Sequence, residues 1–160
     1  QVEAYLTPLS ATTDQRLRET FMRIAETKDE DPRVNIEGRD LKALRRAGSV
    51  IWFDFHTLCA GPRSQNDYLE IASRFHTVIL SSVPEMSAAM SSEARRFTWL
   101  VDVFYDNRVK LIISAEVAPD RLYTKGTLSN EFHRTVSRII EMQSKAYMEL
   151  ERRSLDAVTV

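Results

Sequence analysis

The sequence predicts an α/β fold, a mostly parallel sheet with flanking helices, and three observations carry that prediction. Two apolar runs, TVILSSV at 77–83 and VKLIIS at 109–114, have the length and β-branched content of strands buried on both faces. A third run, VIWFDF at 50–55, precedes them. Between the runs lie segments with apolar residues at helical spacing, which parallel strands need for their crossovers. The expected order over residues 50–150 is β–α–β–α–β–α, preceded by a helix and a β-hairpin.

Each element has a local reason. Thr12, Thr13 and Asp14 are candidate N-caps for a first helix, in which Leu17, Phe21 and Ile24 recur until the polar break TKDEDP. RVNIEGRDLKAL alternates on both sides of Glu37-Gly38-Arg39, the pattern of a hairpin with glycine in its turn. Gly48 then opens the first buried strand. Ser64 is placed to cap a helix through Phe75, and Ser91 or Ser92 to cap one through Asn107. A last helix is expected from Asn130 to Leu150, with Phe132, Val136, Ile139 and Ile140 on its apolar side. The polar tail ERRSLDAVTV is expected to fray. The chain thus divides into an amino-terminal helix and hairpin subdomain (1–48), an α/β domain (49–150) and a tail (151–160).

Composition bounds the function. With 160 residues, 43% hydrophobic and 28% charged, the chain can bury a substantial core. Twenty-two basic against twenty-three acidic side chains give a net charge of -1, so no global field draws it to nucleic acid or anionic lipid. The one cysteine, Cys59, has no internal disulfide partner, and no apolar run approaches the roughly 20 residues that span a bilayer. A cytoplasmic location is expected. The chain begins at Gln1 without an initiator methionine or signal peptide, which suggests a piece of a longer protein.

Ligands of open α/β sheets bind at the carboxyl ends of the strands, where this sequence offers Asp54 and His56, Ser81 and Ser82, and Ser114 and Glu116. His56 and Cys59 have an H-x-x-C spacing, but zinc takes three or four protein ligands, and His76 and His133 fall in other elements. No metal site is expected, and Cys59 reads as a structural cysteine.

The residue runs GPRSQNDYLEIASRFHTV, EARRFTWLVDVFYDNRVKLIISAE and EFHRTVSRIIEMQSKAYM resemble the carboxy-terminal part of the ZapE-type AAA+ ATPases, whose mitochondrial relatives are the lactation-elevated or Afg-type ATPases. YLTPL and WFDFHTLC fit the same pattern, so the resemblance covers about Tyr5 to Tyr147. It implies an oligomeric, ATP-hydrolysing parent that uses Mg2+, with bacterial members acting in cell division near the tubulin-like FtsZ ring. It also implies that this part partners an amino-terminal ATPase half carrying the Walker A and Walker B motifs. A phosphate loop needs glycines followed by lysine and a hydroxyl residue, yet none of the four glycines, at 38, 48, 61 and 126, belongs to a GxxxxGK pattern ending in Ser or Thr. By resemblance, TVILSSVPEM to VKLIISAEV matches a Walker B to sensor-1 section, with Ser82 at the Walker-B-like strand end where many relatives carry aspartate, and Ser114 and Glu116 at the sensor-1-like end. A neutral hydroxyl is a weak magnesium anchor. The expectation is a degenerate P-loop-like layer with no catalytic residues and no cofactor of its own.

AAA+ assemblies use arginines to stabilise charge on the γ-phosphate, because a guanidinium is always charged and donates in a planar fork. The resemblance implies such a nucleotide-sensing or intersubunit role for Arg134 and Arg138, which share one helix face four residues apart, and for Arg95 and Arg96. Ordinary pairing with Glu93, Asp102, Glu131 or Glu141 is the alternative for all four. The functional alternatives are a nucleotide-independent interaction module and a small hydrolase using Ser114, Glu116 or His56.

Overall fold

A computed structural model describes residues 3–150; the tail expected to fray lies outside the described residues. The chain forms β1 (Tyr5–Leu6), α1 (Ala11–Ile24), β2 (Arg33–Ile36), β3 (Arg39–Lys42), β4 (Arg45–Ala47), β5 (Val50–Asp54), α2 (Phe55–Cys59), α3 (Gln65–Arg74), β6 (Thr77–Val83), α4 (Ser91–Asp106), β7 (Lys110–Ala115), α5 (Ser129–Met142) and α6 (Lys145–Met148). Five strands make one sheet in the order β1-β7-β6-β5-β4, and β2 pairs with β3 in a separate hairpin. Within the sheet β1, β7, β6 and β5 are parallel and only β4 is antiparallel, so the expected fold class is present.

Strand alternation sorts side chains to two unequal faces. Ile51, Phe53, Val78, Leu80, Leu111 and Ile113 join the larger core under α3, α4, α5 and the hairpin. Val50, Trp52, Ile79 and Ile112 turn the other way and meet Leu17 and Phe21 of α1. Because both faces are covered, the central strands read as continuous apolar runs instead of alternating ones. In the larger core Phe97 stacks on Phe132 at 6.1 Å, and the ring edge of Tyr68 meets Phe104 at 6.5 Å. The Tyr68 hydroxyl, buried with its pKa raised by desolvation, donates to the Leu58 carbonyl at 2.7 Å. A buried phenol with that partner is satisfied in the way burial demands.

Local chemistry moves several boundaries. The first helix starts earlier than expected, because the Ser10 hydroxyl accepts from the Thr13 amide and so caps it at Ser10, not at Thr12–Asp14. Helix α4 is led in by a 3-10 turn at Ala88–Met90, so its N-cap is Met90 and neither Ser91 nor Ser92 serves as one. The helix expected to reach Leu150 stops at Met142; Ser144 then accepts from the Tyr147 amide and starts α6. Tyr147 docks that turn by donating to the Val109 carbonyl at 2.7 Å. On α5, Phe132 and Ile139 are buried as expected, Val136 only partly, and Ile140 is 57% exposed, a correction to its apolar-side placement. The hairpin turn is as read, with Glu37 (φ 50°) and Gly38 (φ 79°) both left-handed, the geometry of a two-residue turn that follows strand twist. No helix among the described residues is long and apolar enough to cross a membrane.

Candidate functional site

Strands β5, β6 and β7 step across the sheet in one direction, so their carboxyl ends lie side by side. The chain leaving each end runs into a helix, and the starts of α3, α4 and α5 converge on one cleft of about 520 Å³. Pro62, Arg63 and Ser64 supply one wall, Ser91, Ser92, Arg95, Arg96 and Trp99 a second, Thr127 and Leu128 a third, and Arg39 reaches in from the hairpin. Four of these eleven lining residues are arginines and none is acidic.

The arginines are held in two ways. Arg39 donates from one terminal nitrogen to both Asp67 oxygens at 2.9 Å and from the other to the Pro62 carbonyl. Asp67 is 1% exposed and also accepts from the Ser64 amide at 2.6 Å, returning the cap of α3. Arg95 meets Glu131 of α5 at 3.3 Å. By contrast, Arg63 donates to the Thr57 carbonyl at 3.2 Å and Arg96 to the Cys59 carbonyl at 2.9 Å. A carbonyl orients a guanidinium without neutralising it. Asp67 and Glu131 therefore offset two of the four charges, and two remain facing the cleft. The starts of α4 and α5 carry no side-chain cap, and their aligned backbone dipoles add partial positive charge. Chemically, the excess positive charge of the cleft suits an anion.

Of the residues singled out in the sequence, Arg95 and Arg96 lie in this cleft and Arg134 and Arg138 do not. The latter two share one carboxylate, Asp102 of α4, at 3.2 and 2.5 Å, and Arg138 also lies over the Tyr105 ring at 4.8 Å. Glu141, an expected partner, instead accepts from the Tyr105 hydroxyl at 2.8 Å. The strand-end residues are bound to one another. The pairing of β6 with β7 slips between Leu80 and Val83, where Ser82 adopts φ 63°, and the Ser114 hydroxyl fills the gap by accepting the Ser82 amide at 2.9 Å. Glu116 accepts the Glu85 amide at 2.7 Å, and Ser81 accepts the Trp52 indole at 3.0 Å. Asp54 caps α2 by accepting the His56 amide at 3.0 Å.

The described residues do not fit a phosphate loop with bound magnesium. The four glycines occupy separate turns. A Cβ on Gly126 would meet the Tyr123 hydroxyl at 1.9 Å, so that glycine makes room for a core tyrosine, not for a phosphate. Among the described residues no group of three or more His, Cys, Asp or Glu side chains is arranged to hold a metal. Cys59 is buried, and desolvation pushes its thiol up to about 12.

Sequence reasoning missed Arg39, Arg63, Trp99 and Thr127 as members of the site. Arg63 had one visible signal, its place immediately before the helix cap Ser64. Arg39 had none, since only the docking of the hairpin brings it to α3.

An AFG1-like ATPase family model matches residues 1–151. Escherichia coli K12 cell division protein ZapE is 40% identical over 152 residues, covering 94% of this chain and 40% of that protein. Zebrafish lactation elevated protein 1 homolog B is 35% identical over 149 residues, covering 72% of this chain and 30% of that protein. A Schizosaccharomyces pombe protein is 29% identical over 177 residues, covering 91% and 39%. No solved structure gave a significant match. The chain spans about two fifths of the length of the Escherichia coli and Schizosaccharomyces pombe relatives and about three tenths of the zebrafish one. With the family model extending over nearly all its residues, the chain belongs to the AFG1-like ATPase family.

Proposed function

We propose that this chain is the carboxy-terminal half of a ZapE-type ATPase, that it does not hydrolyse ATP by itself, and that it serves assembly and the sensing of nucleotide phosphate. The observation that carries the reading is the cleft in which Arg95 and Arg96 are joined by Arg39 and Arg63, with two guanidiniums oriented by carbonyls alone. Arginines in such a setting stabilise phosphate charge without performing chemistry themselves. The parent's ATP and Mg2+ are then bound by the amino-terminal half, and homo-oligomerisation brings one subunit's arginines to a neighbour's nucleotide. Arg134 and Arg138, clasped by Asp102, serve the α4–α5 junction in this reading, with a nucleotide role only after that clasp opens. Ser82, Ser114 and Glu116 shape the strand ends. The name of the Escherichia coli relative supports a role in cell division, and the family resemblance supports a cytoplasmic location and FtsZ as a partner.

Reconstitution tests it. The chain is added to the phosphate-loop half, and ATP turnover and particle mass are measured by coupled assay and light scattering. The expected result is a rise in both with the wild-type chain and a smaller rise in turnover with Arg95→Ala. Unchanged turnover and unchanged mass on adding the wild-type chain would sink the proposal.

A further inference from the structure

We infer that the arginine cleft is itself a binding site for a metal-free polyphosphate, a di- or triphosphate group with or without a nucleoside, on this chain alone. The inference deepens the reading of the cleft given above, but it requires neither the ATPase half nor a neighbouring subunit. Three features select the ligand. First, the cleft holds two guanidiniums in excess of the carboxylates that pair with its arginines, so a multiply charged phosphate or polyphosphate gains more there than a singly charged carboxylate does. Second, the donors sit on separate walls, Arg63 before α3, Arg95 and Arg96 on α4 and Arg39 on the hairpin, and a chain of phosphates offers oxygens to more of them at once than a lone phosphate does. A volume of about 520 Å³ lies within the range of small-molecule sites. Third, no carboxylate lines the cleft, and Asp67 and Glu131 are each engaged by an arginine, so the donor set takes anions and offers magnesium only neutral hydroxyls. Guanidiniums here do the neutralising that a metal does in a phosphate loop. Trp99 adds an aromatic face to the same wall, available to a base.

Calorimetry of the 160-residue chain in EDTA tests this with orthophosphate, tripolyphosphate and ATP. Tripolyphosphate is expected to bind at least about tenfold more tightly than orthophosphate, as one further charge-assisted contact provides. Equal affinities for tripolyphosphate and ATP assign recognition to the phosphates. A tighter ATP that falls to the tripolyphosphate value in Trp99→Leu adds base stacking, and either pattern upholds the site. Excess magnesium should weaken binding by competing for the ligand. Arg63→Gln is expected to lose about tenfold by the same single-contact measure. Ser92→Asp is the control against misfolding: an acid in the first turn of α4 favours the helix, so the unfolding midpoint holds or rises while anion affinity falls. Absence of tripolyphosphate binding in EDTA, binding that depends on magnesium, or wild-type affinity in Ser92→Asp each overturns the inference. Such a failure leaves the reconstitution result standing, and a failed reconstitution leaves this titration standing.

Discussion

Helix α4 carries two arginine environments within two turns of each other, and they hold their guanidiniums by different partners. At its start, Arg96 and the nearby Arg63 are oriented by backbone carbonyls, which fix direction and leave charge. Farther along, Asp102 gathers Arg134 and Arg138 from α5, with Arg138 additionally laid over Tyr105, so that charge is spent on joining two helices. The residue type is the same, and α4 runs through both. What differs is whether the partner is a carboxylate or a carbonyl, and that decides whether an arginine is a clamp or a receptor.

Mutations can break this contrast in graded ways. The largest effect is expected at Phe97, which lies one residue past Arg96, is fully buried and stacks on Phe132. Phe97→Ala should cost about 3–5 kcal/mol, read from urea unfolding, and should abolish both environments together. Asp102→Asn comes next, at about 1–2 kcal/mol for a partly exposed carboxylate serving two guanidiniums. Its informative outcome is a split: helix docking weakens while cleft properties persist, and loss of both would show that the two environments are one unit.

A chemical probe sharpens the cleft side. Because burial pushes the Cys59 thiol up to about 12, the wild-type protein should not react with Ellman's reagent at pH 8 until it unfolds. In Arg96→Ala, which frees the Cys59 carbonyl, faster labelling below the unfolding transition is expected if that bond holds the wall closed. The smallest effect belongs to an ordinary surface pair used as a baseline. The Arg45 guanidinium holds the Asp29 carboxyl below its usual value through hydrogen bonds of 2.9 Å. The folded state thus binds fewer protons there. The contribution is present at neutral pH and lost as pH falls from about 4 through the lowered folded value. Comparing melts of wild type and Arg45→Gln at pH 6 and pH 2.5 should show a small difference that shrinks in acid, what is left at pH 2.5 belonging to the Arg45 guanidinium over the Phe21 ring at 4.4 Å.

Much of the fold was legible because its signals are local. β6 was read to the residue as 77–83, and α3 from its Ser64 cap. β1 and β4 were not anticipated, since a two-residue strand such as Tyr5–Leu6 has no periodicity and exists through its pairing with Ile113 and Ser114. The break before α6 was hidden by an apolar pattern that runs on across it, although Ser144 carried the cap that starts the new turn. The site was half legible for a related reason. Arg95 and Arg96 announce themselves as a basic pair at a helix start, whereas Arg39 and Arg63 enter only through tertiary docking and through the buried Asp67 that holds the hairpin to α3.

Two walls of the cleft are stitched together: the Met86 amide donates to the Leu122 carbonyl at 2.7 Å, and Phe97 and Phe132 stack beneath. The segment at 57–64, the end of α2 and the loop after it, is tied differently, by Arg39 to Pro62, Arg96 to Cys59 and Arg63 to Thr57. Its fastenings are thus the same guanidiniums that face the cavity. A guest that recruits them competes with those carbonyls, so filling the cavity and loosening that segment are two readings of one equilibrium.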